Sequence, residues 1–311
     1  MKIVTLLARN GTDAYPASEQ RVSEIFAEHM PEVDRQTVII DNALPPSTVE
    51  RLNDNETLLG GDNNFWEFSA WDKAIAWLGS EIWSYDLVHL ATSAFHTLYL
   101  KYLHLFNVAM LSSVAARPVC LGHIDCYNDD VRILSFQSQH WIRTSFFFLP
   151  PTELKMLRTL VSARNPERLL GNGSDRPFSE NSAVCERYRE YVLSWLNGSE
   201  IGQGMAWHSR LELTEESWPL FRSKALAIFN EHLLSIRLRG QGTRLIDTTW
   251  LAGKLAADEP DSIDWSRRWS AQLAERREDK VLVHEPGSLT AHSCGHSHRH
   301  STLLVGSRRT E

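Results

Sequence analysis

Cysteine is scarce in this chain: four residues in 311, at positions 120, 126, 185 and 294. That spread fits reduced thiols in the cytosol better than a disulfide framework. Long apolar runs are missing as well. The longest apolar segment, residues 98–114, is interrupted by Lys101, His104 and Asn107, so no bilayer-spanning helix of about 20 apolar residues is predicted. Residues 1–11 turn polar too soon to act as a secretory leader. Excess positive charge is lacking: a net charge of −7 argues against a nucleic-acid binder, which needs clustered Lys and Arg. It leaves room for a small phosphorylated ligand held by one or two local cations and backbone amides. Neither a GxGxxG nor a P-loop sequence occurs, which disfavours a dinucleotide oxidoreductase and an ATPase.

What is present is ordinary globular composition, 42% hydrophobic and 23% charged, with an unusual eleven tryptophans. The length suits one large domain or a main domain with an appendage. The most informative stretch is residues 59–72, Leu-Gly-Gly-Asp-Asn-Asn-Phe-Trp-Glu-Phe-Ser-Ala-Trp-Asp. Glycines let backbone approach a ligand, Asp and Asn read hydroxyls or cap a helix, and Trp offers a flat face to a base or sugar. Two readings stay open: a turn leading into a Trp-rich core helix, or a nucleotide- or sugar-binding loop at a strand end.

Along the chain, residues 3–8 form a short apolar run ending in Asn10-Gly11, a buried strand and turn. Helical spacing over 18–30 and a β-branched run at 37–41 complete a βαβ unit, which predicts a parallel sheet. Residues 85–90 read as a third strand ending near Thr92-Ser93, and 98–111 as an apolar helix. Residues 118–122, 132–136 and 141–149 read as strands, 154–161 as a helix, 165–182 as a flexible loop, and 185–196 and 218–236 as helices.

In open α/β sheets ligands sit beyond the carboxyl ends of the strands. The polar tips Asn10, Asp41-Asn42, Gly60-Gly61-Asp62-Asn63 and Thr92-Ser93 are therefore expected to share a nucleotide pocket. Asp62, Glu67, Asp72 and Asp125 are the carboxylates near these ends that could serve as a general base. Arg143 reads equally as a snorkelling edge residue or as a phosphate contact, and Asp72 equally as a first-turn acid complementing the helix dipole.

The order strand, Asp41-Asn42 strand end, then Gly60-Gly61-Asp62-Asn63 before a helix resembles the first half of a GT-A-type glycosyltransferase. The block 141–149, followed by a helix, is similar to the closing strand of bacterial surface-polysaccharide glycosyltransferases related to the rhamnan-synthesis group. The resemblance covers roughly residues 1–165. It implies a nucleotide-sugar donor, a glycan or lipid-linked acceptor reached in the cytoplasm or at the inner membrane face, Asp41 and Asn42 reading the nucleoside, and Arg143 on the diphosphate. It also implies Mg²⁺ or Mn²⁺ held by an Asp-x-Asp after the third strand, where this chain has Ala91-Thr-Ser-Ala-Phe95 and no carboxylate. Hydroxyls alone are poor ligands for such a cation. Metal-independent transfer, substitute carboxylates such as Asp125 or the Asp129-Asp130 pair, and a non-catalytic nucleotide- or sugar-binding protein all remain open.

The expected architecture is thus α/β: a Rossmann-like GT-A core with a mainly parallel sheet over 1–165, a helical extension over 166–285, and a disordered His-rich tail over 286–311. In the extension, Lys224, Glu231 and His232 are expected on a solvated helix face, and Arg237, Arg239 and Arg244 in a surface cluster. The tail run 292–300 has imidazole and thiol spacing able to hold Zn²⁺ or Cu and is read as an adventitious metal binder.

Overall fold

A computed structural model describes residues 1–98, 101–198, 210–257 and 263–276. The chain begins with β1 (Lys2–Arg9), α1 (Ser18–His29) and β2 (Asp34–Asp41), and continues through the hairpin β3 (Val49–Asn53) and β4 (Glu56–Gly60) into α2 (Trp66–Leu78) and β5 (Leu87–Thr92). The short α3 (Phe95–Leu98), then α4 (Val108–Ala115), β6 (Val119–Gly122), β7 (Ile124–Ile133), β8 (Phe136–Ile142), β9 (Phe146–Leu149) and α5 (Pro151–Leu157) follow. The rest comprises the hairpin β10 (Leu170–Gly173) and β11 (Arg176–Phe178), α6 (Glu186–Asn197), α7 (Trp218–Gly240), β12 (Arg244–Asp247), α8 (Thr248–Leu255) and α9 (Trp269–Ala274).

Eight strands form one mostly parallel sheet in the order β12-β6-β9-β5-β1-β2-β4-β3. β1 is parallel to β2 and to β5, and β2 to β4, so their carboxyl ends lie along one edge. The mixed α/β character is as expected. β12 runs parallel to β6, so the sheet is completed from residues beyond 166 and is not confined to 1–165. β9 is antiparallel to both β5 and β6. It is separate from β8, although the two read as one strand in sequence.

The sheet is apolar on both faces because alternate side chains of each strand point to opposite sides. Val4, Leu6 and Ala8 pack against Phe68, Trp71 and Ala74 of α2, and Trp71 Nε1 donates to the Leu6 carbonyl at 3.0 Å. Ile3 and Leu7 point the other way, toward Val22, Ile25 and Phe26 of α1. Phe146, Phe147, Phe148 and Leu149 are at most 1% exposed, so this run is core. A third cluster joins β7 and β8 to α6 and α7 through Tyr127, Trp141, Tyr188, Tyr191 and Trp195. α7 links the cores: Phe221 and Phe229 lie in the third cluster, while Leu234 and Leu238 reach the sheet.

The 98–111 helix is replaced by α3, a tight turn at Leu103–Leu105 and α4, which is capped when the Asn107 side chain accepts from Met110 N at 2.9 Å. The 165–182 segment carries the β10–β11 hairpin. The His-rich run 292–300, and the whole tail from 286, lie outside the described residues.

Candidate functional site

A cavity of about 600 Å³ opens at the carboxyl edge of the parallel strands, within the range of ligand pockets (roughly 300–1,000 Å³). Asn10 from the end of β1, Asn42 from β2, and Thr92 and Ser93 from β5 line one side. Asn63, Trp66 and Glu67 line the entry to α2, and Asp125, Arg143, Thr144 and Ser145 come from the β7–β9 region. α7 closes the opposite wall with Lys224, Glu231 and His232. Eight of the sequence candidates meet here: Asn10, Asn42, Asn63, Glu67, Thr92, Ser93, Asp125 and Arg143.

The others do not line the cavity, and each has a packing reason. Asp41, expected to read the nucleoside, is 3% exposed. Its Oδ1 accepts from Gly11 N (2.8 Å) and Ala43 N (2.9 Å), and Oδ2 from Arg9 Nε (2.7 Å). Burial pushes its carboxyl up, but these donors outweigh that and hold it below the usual range. Asp41 therefore shapes the turns that present Asn10 and Asn42. Gly60 and Gly61 give room to the chain and not to a ligand. A Cβ on Gly60 would sit 1.8 Å from the Pro45 carbonyl oxygen, and one on Gly61 would sit 1.9 Å from Asn42 Oδ1. Asp62 is exposed and turns back on its own loop, accepting from Asn64 N at 3.0 Å. Asp72 accepts from Leu160 N (2.6 Å) and from the Thr159 hydroxyl, tying α2 to the strand-free segment after α5.

The Asn42 amide stitches the loop before α2, donating to Trp66 O (3.2 Å) and Asn63 Oδ1 (3.3 Å). Asn63 and Trp66 both adopt positive φ, 52° and 53°. For a residue as bulky as Trp this is a strained conformation of the kind that clusters at binding sites. The Thr92 and Ser93 hydroxyls make no hydrogen bond among the described residues.

The charged wall is arranged in two layers. Arg143 pairs with Asp125 through Nε and again through Nη2 to Oδ1 (3.3 Å), and His123 Nε2 lies 3.4 Å from the same Oδ1. Burial opposes ionisation of Asp125, yet the Arg143 guanidinium and His123 overcome it and hold the carboxyl far below its usual range. Glu231 Oε1 accepts from both Thr144 N (2.8 Å) and Thr144 Oγ1 (3.2 Å). Burial, reinforced by Asp125, still pushes its carboxyl up to about 7. Glu67 is pushed up to about 8, by burial first and by the Glu231 charge as well. Tyr127 Oη lies 2.6 Å from His232 Nδ1, and the Tyr188 hydroxyl bonds the same nitrogen; burial lowers this imidazole to about 3. The face bearing Lys224, Glu231 and His232, expected in solvent, is thus the cavity wall. Arg237 and Arg239 are not a loose surface cluster either: Arg237 donates to Leu157 O (2.7 Å) and Arg239 to Ser138 Oγ (2.8 Å).

A carboxyl whose folded value is raised binds a proton more tightly in the native state, so it contributes stability at low pH that is lost as pH rises toward the folded value. Glu67→Gln is therefore expected to match the wild type in urea unfolding at pH 5. At pH 9 it should be more stable by about 2 kcal/mol, after discounting the multi-unit shift for water reaching the cavity. Equal differences at both pH values would show that Glu67 titrates normally.

Comparison with known proteins returns no matching family model, no matching curated protein and no matching solved structure.

Proposed function

We propose that this chain is a GT-A-like, Rossmann-type glycosyltransferase that moves a sugar from a nucleotide donor to a glycan or lipid-linked acceptor. The observation carrying this reading is that strand-end tips from β1, β2 and β5 share one cavity with Arg143 and the loop before α2. Ligands of open α/β sheets bind at such an edge. In this reading Asn42, Asn63 and Trp66 form the nucleoside wall, with the Trp66 ring available for stacking. Thr92 and Ser93 offer hydroxyls to the ribose or phosphates, and Arg143 supplies diphosphate charge.

The cavity cations Arg9, Arg143 and Lys224 face the acids Glu67, Asp125 and Glu231. Arg9 is paired with Asp41 and Glu19, and Arg143 with Asp125; with the Glu67 carboxyl pushed up to about 8, one fewer anion is left to oppose a diphosphate. The donor set does not fit Mg²⁺ or Mn²⁺. Asp125 is committed to Arg143 and His123, and among the described residues no group of three or more His, Cys, Asp or Glu side chains is gathered for a metal. Among the described residues no helix is long and apolar enough to cross a membrane; a lipid-linked acceptor would be met by peripheral association.

The test is a thermal-shift panel of UDP-, GDP- and dTDP-hexoses, with Mn²⁺ or with EDTA, followed by donor hydrolysis on each hit. At least one nucleotide sugar is expected to raise the melting temperature in EDTA and to be hydrolysed. Binding without hydrolysis or transfer would favour a non-catalytic binding protein, and no binding would end both readings.

A further inference from the structure

The two carboxyls that the sheet and α7 bring to the same cavity differ in how they are held. Glu231 has one oxygen fixed by two donors of Thr144, and its Oε2 makes no hydrogen bond among the described residues. Its orientation is therefore set before any ligand arrives, with one oxygen left for a reacting group. Glu67 stands in the first turn of α2, where its carboxyl makes no hydrogen bond to another side chain among the described residues. Both line the cavity that Arg143 also lines. Two ionised carboxylates in one cavity would repel each other and an incoming diphosphate, which favours keeping one of them protonated.

Building on the glycosyltransferase reading, we infer that Glu231 and Glu67 divide the acid–base work of transfer: Glu231 Oε2 takes the proton of the acceptor hydroxyl, and the Glu67 carboxyl donates a hydrogen bond to the departing phosphate. The acceptor O–H bond breaks and its proton passes to Glu231. The freed electron pair forms the new bond to the sugar anomeric carbon, and the bond from that carbon to the diphosphate breaks with its pair on the phosphate oxygen. That oxygen's growing charge meets the Glu67 O–H and the Arg143 guanidinium, the work a divalent cation does elsewhere. Glu231 then releases its proton to water. Sequence spacing placed Glu231 on a solvated helix face; only the packing of α7 over β8 and the Thr144 contact bring it to the cavity. The charged and titratable groups around it are Glu67 from α2, Asp125 from β7, Arg143 from the link between β8 and β9, and Lys224 and His232 from α7 itself. His232 stays neutral across the working range, because burial lowers it to about 3.

The experiment uses the full chain and the nucleotide sugar giving the largest thermal shift in the panel above. Glu231→Gln keeps the acceptor for Thr144 and removes the base. Its kcat for donor hydrolysis is expected to fall at least 100-fold with the dissociation constant for the same nucleotide sugar within threefold. The wild-type rate is expected to fall above about 8 as Glu67 ionises, and Glu67→Gln is expected to lose that limb. Glu231→Asp, which keeps a carboxylate but withdraws it, guards against misfolding of the amide and should lose kcat to a similar degree. A kcat within threefold of wild type in Glu231→Gln overturns the assignment while leaving the donor pocket intact. A wild type that binds nucleotide sugars without turnover overturns it too, and absence of binding removes the reading beneath it. Carboxyl carbon NMR supplies an arm independent of turnover: wild type should show two coupled glutamate titrations near 7 and 8, and Glu231→Gln should move the Glu67 titration toward the ordinary range. Two ordinary titrations in wild type overturn the pairing.

Discussion

Arg143→Ala is expected to weaken nucleotide-sugar binding about 100-fold and to destabilise the fold by about 3 kcal/mol, because it removes one member of a largely dry ion pair. The Asp125 side chain is 11% exposed and that of Arg143 17%, so the carboxylate left behind is poorly hydrated and keeps only His123 beside it. Burial, unopposed, should then raise Asp125. In wild type this carboxyl lies far below its usual range, so its contribution to stability is present above the unfolded value near 4 and lost only in strong acid. The variant should lack that acid dependence. Arg143→Lys separates the two roles: the charge remains but bidentate geometry is lost, so stability should recover by about half while affinity stays about tenfold reduced. Urea unfolding at pH 7 and pH 3, with thermal shifts against the nucleotide sugar, measures both. Unchanged affinity in Arg143→Ala would remove this residue from the donor site.

The sheet's parallel heart was legible because buried parallel strands read as continuous apolar runs. Residues 3–8, 37–41 and 85–90 announced β1, β2 and β5, and Asn10, Asn42, Thr92 and Ser93 after them fell at the cavity because connectivity alone sends those ends to one edge, while Asp41 is buried. The β3–β4 hairpin was not legible. All five residues of β3 are exposed, so its sequence carries no alternation of apolar and polar positions. β8 and β9 merged in sequence because the connecting Arg143-Thr144-Ser145 has neither Gly nor Pro. That short link turned out to supply Arg143 and Thr144 to the site.

Among the acids, the sequence could not separate structural from chemical roles. Asp72 and Asp41 are absorbed by partners: Asp72 by Leu160, 88 residues away, and Asp41 by Gly11, 30 residues away. Glu67 and Glu231 are left without such capture of both oxygens. The α7 pattern hid Glu231 because that helix is packed on nearly all sides, with Asn230, His232 and Ser235 buried beside Phe229 and Leu233. No apolar stripe was left from which to tell a solvated face from a cavity wall.

The second large effect is expected at Asp247, a residue the sequence did not single out. Its carboxylate is fully buried and joins three separate pieces of chain. Oδ1 accepts from Trp250 N at 3.0 Å, capping α8, and from Arg276 Nε at 3.0 Å; Oδ2 accepts from Ile124 N at 3.0 Å. Its own N–H donates to Gln272 Oε1 at 2.8 Å, and Gln272 Nε2 returns to Leu245 O at 3.1 Å. Asp247→Ala would leave Arg276 without its counter-charge and the Ile124 N–H and α8 N-terminus without acceptors. Breaking such a buried pair costs about 4 kcal/mol, cap included, and should loosen residues 263–276 enough to speed their proteolysis. Asp247→Asn keeps an acceptor for the cap and should cost about half as much. Ile124 adjoins Asp125, so the loss should also reach the ligand. The alanine variant, where it remains folded at low temperature, should bind the nucleotide sugar about tenfold more weakly than wild type. A melting temperature within two or three degrees of wild type, about 1 kcal/mol for a chain of this size, would mean that the network is not what holds β12 and α9 to the start of β7.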